Sequence, residues 1–500
     1  MTMSPKTVLV IYAHPPWEKM RQSTWQHLHT LDNNPTKHNI VYYNAFDDLP
    51  PPEEGWWTLE GTPQRMPAKL RSTCFDVVIL HNLFLCYRWT GETFYLWKEH
   101  FNWIGELDCA KLAIPQDECD HPHRLDEWLF DWGFMGIMTN FHPRQRQYLY
   151  PLLAEQADYY YCCPGYIDEK VAKSYRNKLS PIAERRVDIV YRAKHLPYWF
   201  GSHGQLKWIV GEVLAQHAPK HGLKVDISSK PEDTLYEDWY DFLASGRAIT
   251  GVEGGSSVAN WRGEIQEQIT FMLEKEPDLT FEQVSKRMPP GWDSYDLFLT
   301  GPRNFEAVIT KTCQILIEGE YQDVFEADTH YIPIKRNFSN VDEALEKLKD
   351  HRYVQDMVDR AYGDIYLSGK YTYRSFATLM EQAIEEQVKK RTSKSRKENK
   401  KTNEKEELVS VMEKQMVAQR LHNAWLEAKL IRSTDLKAAQ QAAQQAIQQA
   451  AQQAASFSAI KSYQRKWYMI LIALVLGSMA VSNIVSLVIA LWLLIALWLR

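Results

Sequence analysis

Several chemical signatures are missing from this 500-residue sequence. It has no G-x-G-x-x-G turn, which disfavours a dinucleotide oxidoreductase. Walker A and G-x-S-x-G motifs are absent as well. No Asp-x-Asp pair occurs, so the usual carboxylate holder of a metal–nucleotide complex is lacking and no metal cofactor is expected. Cysteine is scarce: the seven residues at 74, 86, 109, 119, 162, 163 and 313 form no C-x-x-C and no Cys/His ligand spacing. A disulfide framework and a zinc site are therefore disfavoured, and a reducing compartment fits. No basic stretch precedes a long apolar run at the N-terminus, so no signal peptide is expected and the body should stay in the cytoplasm. Nor is there an excess of positive charge. Lys and Arg number 58 against 63 Asp and Glu, a net charge of −5 that argues against a nucleic-acid partner.

What is present is a folded chain of ordinary composition, 45% hydrophobic and 24% charged, long enough for two or three globular units. The 18 Trp and 26 Tyr suggest binding surfaces as well as core. Short apolar runs alternate with helical stretches over the first 380 residues, the pattern of parallel α/β units. Strands are predicted at 7–13, 76–81, 111–115, 136–139 and 158–162. A second set follows at 187–192, 223–227, 247–251, 313–318 and 331–334. Each set suffices for one doubly wound sheet. The expected fold class is therefore α/β, with two facing Rossmann-like domains over 1–170 and 171–385. Residues 262–290 read as two helices, the second opened by a Thr280/Gln283 capping box.

The remainder changes character. Lys389–Glu407 holds nine Lys/Arg and four Asp/Glu and reads as a basic linker, 386–407. A helical stalk over 408–460, with apolar residues at helical spacing over 408–430 and Ala-Ala-Gln-Gln repeats after them, suits coiled-coil homo-oligomerisation. Residues 467–499 carry no charge at all, more than the roughly 20 needed to span a bilayer as a helix. One tilted transmembrane helix is expected, with the alternative of a hairpin turning near Gly477 or Ser482. The preceding Lys461, Arg465 and Lys466 place that flank on the cytoplasmic side. The body would thus be tail-anchored at a membrane.

Chemistry-bearing residues gather in the second domain. Arg192, Lys194, His203 and Lys207 lie just past the strand VDIVYR and at a helix start, where open α/β sheets take anionic ligands. Without a divalent ion, a diphosphate leaving group needs such cations to absorb its charge. The strand 247–251 runs into Glu253, Gly254, Gly255, Ser256 and Ser257, a turn that lets backbone amides approach phosphate or sugar. Arg303 and Glu306 open a helix feeding the strand 313–318, and Glu306 could bond two ribose hydroxyls. In the first domain, Asp117 or Glu118 at a strand end, or His14 in the Tyr12–Pro16 loop, are candidates for the general base on an acceptor hydroxyl.

The blocks YRAKHLPYWFGSHGQLK, EGGSS, GPRNFEAVITKTCQILIEGEY and HYIPIKRNFSNVDEALEKLKD resemble the nucleotide-sugar domain of group 1 glycosyltransferases. The likeness is closest to a bacterial glycosyltransferase-like subfamily with spore-maturation-protein-like members, and covers about residues 6–380. It implies the GT-B fold and metal-independent hexosyl transfer. The donor would be a nucleotide-sugar, and the acceptor, a glycan, lipid or protein, would be held by the first domain. By the same resemblance Glu306 matches the second Glu of the family's Glu-x7-Glu motif and Glu253 the first, although helices separate the two here. Arg192 and Lys207 match the basic diphosphate contacts. The competing readings are a non-catalytic membrane-tethered scaffold with a glycosyltransferase-like body, and a nucleotide-sugar epimerase, which would leave the anchor unexplained.

Overall fold

The computed structural model describes residues 4–49, 65–235 and 238–393. The expected stalk, the uncharged segment 467–499 and most of the basic linker lie outside the described residues. Among the described residues no helix is long and apolar enough to cross a membrane.

Two parallel sheets carry the body. The first contains β1 (Thr7–Tyr12), β2 (Asn39–Asn44), β3 (Val77–His81), β4 (Ala110–Ile114), β5 (Gly136–Thr139) and β6 (Asp158–Tyr161) in the order β2-β1-β3-β4-β5-β6. The second contains β7 (Val187–Arg192), β8 (Val225–Ser228), β9 (Gly246–Gly251), β12 (Cys313–Ile317) and β13 (Ile332–Ile334) in the order β13-β12-β9-β7-β8. Runs such as VLVI and VVILH are buried on both faces, as strands covered by helices on either side must be. In both sheets the strand order reverses beside the first strand, at β1/β3 and β7/β9. The loops beyond those carboxyl ends are the natural ligand positions of such a fold.

Among the described residues, ten of the thirteen strands coincide with sequence predictions, and the Thr280/Gln283 capping box is present. Three strands were not anticipated. β2 is an edge strand, and β10 (Gly254–Ser256) pairs antiparallel with β11 (Leu297–Leu299). This small ribbon joins the two halves: Ala259, Leu297 and Leu299 lie in the core of the first sheet beside Leu125 and Phe141. Further stitches follow. His121 N donates to Asn260 O (2.8 Å), His123 N to Trp261 O (3.1 Å), and the His123 and Trp261 rings stack at 4.7 Å. Residues 373–393, helical, return to the first sheet, where Phe376 and Ile384 pack against the face bearing Val8, Val77 and Leu112. The expected second unit, 171–385, therefore includes a segment whose packing belongs to the first sheet.

The glycine pair of EGGSS serves this ribbon. Gly255 has φ +84°, and a Cβ there would stand 1.9 Å from Leu297 O. Gly255→Ala should lower stability by about 3 kcal/mol or more, read as a fall in the denaturant midpoint. An unchanged midpoint would contradict this packing.

Candidate functional site

At the carboxyl end of β4 the chain turns through Asp117 in the left-handed region (φ 47°). Arg88, fully buried, holds that turn. Its guanidinium donates to the carbonyls of Gln116 (2.9 Å), Asp117 (2.8 Å), Asp120 (2.9 Å) and Leu85 (3.0 Å). Asp117 is left open to solvent while the surrounding protein raises its carboxyl pKa, an effect opposed by the nearby charges of Lys207 and Arg88. Lys207 belongs to the other half, so a first-sheet carboxylate and a second-sheet ammonium face each other. Burial pulls the Lys207 pKa down, and Asp117 pushes it back up.

Lys207 sits on the helix Gly201–His217, its Nζ 3.1 Å from Gly255 O. Tyr191 OH donates to Lys207 O at 2.5 Å and hydrogen-bonds Arg303. The Arg303 guanidinium lies over the rings of Tyr191 (5.1 Å) and Trp239 (5.3 Å). Trp239 Nε1 in turn donates to Glu306 Oε2 at 2.7 Å. Arg303 and Glu306 share the first turns of the helix Pro302–Ile309, which places them side by side. Glu306 is pushed up by burial; its bond from Trp239, Arg303 and, from the first half, Arg21 pull it down. Asp117, Lys207, Arg303 and Glu306 thus form one continuous cluster where the two sheets' carboxyl edges meet. A cationic pair beside a half-buried carboxylate suits a diphosphate with a ribose, and Asp117 opposite suits proton acceptance.

Other predicted site residues lie elsewhere. Arg192 is tied to Asp226, its Nη2 2.8 Å from Oδ1, and packs over the Phe242 ring at 4.3 Å, so its charge is already spent within the protein. Lys194 is exposed beyond it. His203 is fully buried. Its Nε2 lies 2.9 Å from Glu253 O, its ring stacks on Phe298 at 3.8 Å, and burial drops its pKa to about 3, so it braces the 253–255 segment as a neutral ring. Gly254, Gly255 and Ser256 form β10, an extended strand paired with β11, rather than a phosphate-cradling turn. Ser256 Oγ is engaged with Phe200 O (3.1 Å) and Val258 O (3.0 Å).

Glu118 is unsuited to be an acceptor base. It is 0% exposed and accepts from Thr139 Oγ1 (2.5 Å), Tyr150 OH (2.5 Å) and Asn140 N (2.9 Å), a fully satisfied structural carboxylate. His14 is locked by its backbone to the Asn44 amide (3.0 and 2.9 Å), with Nε2 3.0 Å from Glu18 O. None of its described contacts is with the Lys207–Glu306 cluster.

Glu253 faces a second cleft, of about 240 Å³, with His142, Arg144 and Gln145 of the first half and Glu318 and Arg336 of the second. Its Oε1 accepts from Tyr321 N at 2.7 Å, and its Oε2 fills the place a Cβ on Gly319 would take, 2.1 Å away. Burial raises its pKa to about 7. The loop that holds it is strained: Tyr321, Gln322 and Asp323 all have positive φ. Gln322 Nε2 crosses to Asn140 O (2.9 Å) and Tyr161 OH (3.1 Å) of the first half.

Sequence reasoning missed Arg88, Tyr191 and Trp239. The partners of Arg88 are all backbone carbonyls, which leave no pattern in the sequence. The two aromatics have a faint signal, in that Tyr191 directly precedes Arg192 at a predicted strand end.

The fold and the cleft define an α/β body built on two parallel sheets, with polar sites where its halves meet. No family model matches the chain, and no curated protein matches it. Solved structures that it resembles include two named as a glycosyltransferase and a fucosyltransferase. AviGT4, involved in avilamycin A biosynthesis, is 12% identical over 77% of this chain and 98% of its own, with a TM-score of 0.37. Anabaena Alr3699/HepE in complex with UDP-glucose is 11% identical over 76% and 98%, with a TM-score of 0.39. An α1,3-fucosyltransferase is 9% identical over 76% and 91%, with a TM-score of 0.36.

Proposed function

We propose that this protein is a metal-independent glycosyltransferase of the GT-B type that moves a hexosyl group from a nucleotide-sugar to an acceptor hydroxyl. The observation that carries the reading is the meeting of Asp117 from the first half with Lys207, Arg303 and Glu306 from the second, within blocks that resemble a nucleotide-sugar domain. Lys207 and Arg303 would hold the diphosphate, and Glu306, oriented by Trp239, would take the ribose hydroxyls. In the transfer, the bond between the anomeric carbon and the diphosphate oxygen breaks and the nucleoside diphosphate leaves with the electron pair. The acceptor oxygen bonds the anomeric carbon while its proton passes to Asp117. The uncharged segment 467–499 would anchor the enzyme to a membrane with its body cytoplasmic, concentrating it near membrane-borne acceptors.

Transfer assays across a panel of UDP- and GDP-sugars test this. Glu306→Ala should lower kcat/KM by roughly 100-fold, about 2.7 kcal/mol. If no nucleotide-sugar binds or turns over, the scaffold reading takes its place, to which the separate placements of Arg192 and Glu253 already lend support.

A further inference from the structure

Asp117 and Lys207 stand on opposite halves, and each is held from behind, so neither follows the other. The turn bearing Asp117 is pinned by the Arg88 guanidinium on the carbonyls of Gln116, Asp117 and Asp120, and closed by Asp120 N on Asp117 O at 2.9 Å. Lys207 is fixed at its backbone by Tyr191 OH and at its Nζ by Gly255 O, 3.1 Å away. That carbonyl belongs to the β10–β11 ribbon, where Gly255 is registered against Phe298. The two charges act on each other across the junction, and no direct ion pair joins them among the described contacts. An ammonium has three donors, and the Gly255 carbonyl takes one.

The other charges around the pair are few. On its own turn Asp117 meets the like charge of Asp120, which is itself bonded to the His121 ring (2.8 Å) and Asn260 (2.9 Å). Arg88 faces Asp117 from the segment after β3, with its guanidinium spent on backbone carbonyls. Lys207 has the Cys119 thiol nearby and is repelled by Arg303. Among the cations that favour ionised Asp117, Lys207 leads and Arg88 follows. A diphosphate bound between Lys207 and Arg303 brings its own negative charges to the same spot. It cancels the field of the ammonium at Asp117 and adds a like charge, which disfavours an ionised carboxylate.

We infer that Lys207 serves two anions in turn, Asp117 in the free protein and the donor diphosphate in the complex, and that this exchange strengthens Asp117 as a base only once the donor is in place. The inference rests on the transferase reading and concerns the regulation of its site. Before the donor arrives, the ammonium keeps the carboxylate a weak proton acceptor. Afterwards the same carboxylate holds a proton more tightly, as removal of a proton from an acceptor hydroxyl requires. Donor binding and proton binding at Asp117 are then linked, each tightening the other by the same factor.

The experiment uses the full chain with UDP and GDP as probes. Calorimetry in buffers of different ionisation enthalpy, at half-unit steps from pH 5 to 7.5, gives the affinity and the number of protons taken up on binding. Asp117→Asn is the reference, because asparagine tolerates the left-handed backbone of this turn. Protons gained or lost by the nucleotide itself cancel in the comparison. The wild type should take up more protons than Asp117→Asn, and the excess should grow as pH falls below 7.5. At pH 7.5 Asp117→Asn should bind the nucleotide about tenfold more tightly, the equivalent of about one pKa unit at the carboxylate, and the gap should narrow toward pH 5. If Asp117→Asn fails to fold, Asp117→Gly takes its place with the same expected result, since glycine suits a positive φ. The inference is overturned if wild type and variant take up equal numbers of protons, or if the variant binds more weakly. An excess that grows as pH rises would also overturn it, by marking Lys207 as the titrating group. Absence of binding by both nucleotides would remove the transferase reading and the inference with it, whereas binding with equal proton counts would remove the inference alone.

Discussion

Lys207→Ala should weaken nucleoside-diphosphate binding on the order of 100-fold, about 3 kcal/mol, measured by calorimetry with UDP and GDP. The size follows from where the ammonium sits. It is largely withdrawn from solvent, and burial already disfavours its charge, so an incoming diphosphate replaces missing solvation rather than competing with water. Asp117 is its main internal counter-charge, and Arg303 stands near enough to repel it. An anion bridging Lys207 and Arg303 would relieve that repulsion. Arg192 provides the contrast: its guanidinium is occupied by Asp226 and Phe242, so Arg192→Ala should cost stability and leave nucleotide affinity within twofold. The opposite ranking, with Arg192 essential and Lys207 dispensable, would sink this placement of the donor.

The second large effect concerns pH. Glu253 has a folded pKa of about 7 against an ordinary value of 4.5, because burial penalises its ionised form more than the amide of Tyr321 and the charge of Arg336 favour it. The folded state therefore holds this proton where the unfolded chain has released it. Its stabilising contribution is complete below pH 4.5 and fades as pH rises toward 7, by about 3 kcal/mol over that window. Glu253→Gln has no proton to lose and its Oε1 can still accept from Tyr321 N. The stability of the wild type minus that of the variant should thus fall steadily from pH 4.5 to 7 and level off above. Denaturant midpoints at half-unit pH steps give the curve. Parallel traces for the two proteins would show that Glu253 is ionised in the fold throughout.

Much of the scaffold was legible because parallel strands covered on both faces are continuous apolar runs, as in Val77–His81 and Cys313–Ile317. β2 escaped because an edge strand flanked by asparagines is only half buried. β10 and β11 escaped because Gly-Gly-Ser reads as a turn until its partner, some forty residues on, is known. The site was legible in the same uneven way. Arg303 and Glu306 stood out from their helix start, and Lys207 from its place beyond β7. Asp117 and Glu118 could not be separated, since neighbours at a strand end point to opposite sides and nothing local says which side is the cleft. The fate of Arg192 depended on the β7–β8 register, which brings Asp226 within reach.

The return of residues 373–393 to the first sheet has a mechanical meaning. Gln387 Nε2 donates to Asp158 Oδ2 at 2.7 Å, Lys390 pairs with the same carboxylate, and Thr36 Oγ1 donates to Glu381 at 2.9 Å. Tension applied at residue 393 therefore enters the first sheet directly and bypasses the second. The half with Lys207 and Glu306 is spared that load, and the half with Asp117 carries it.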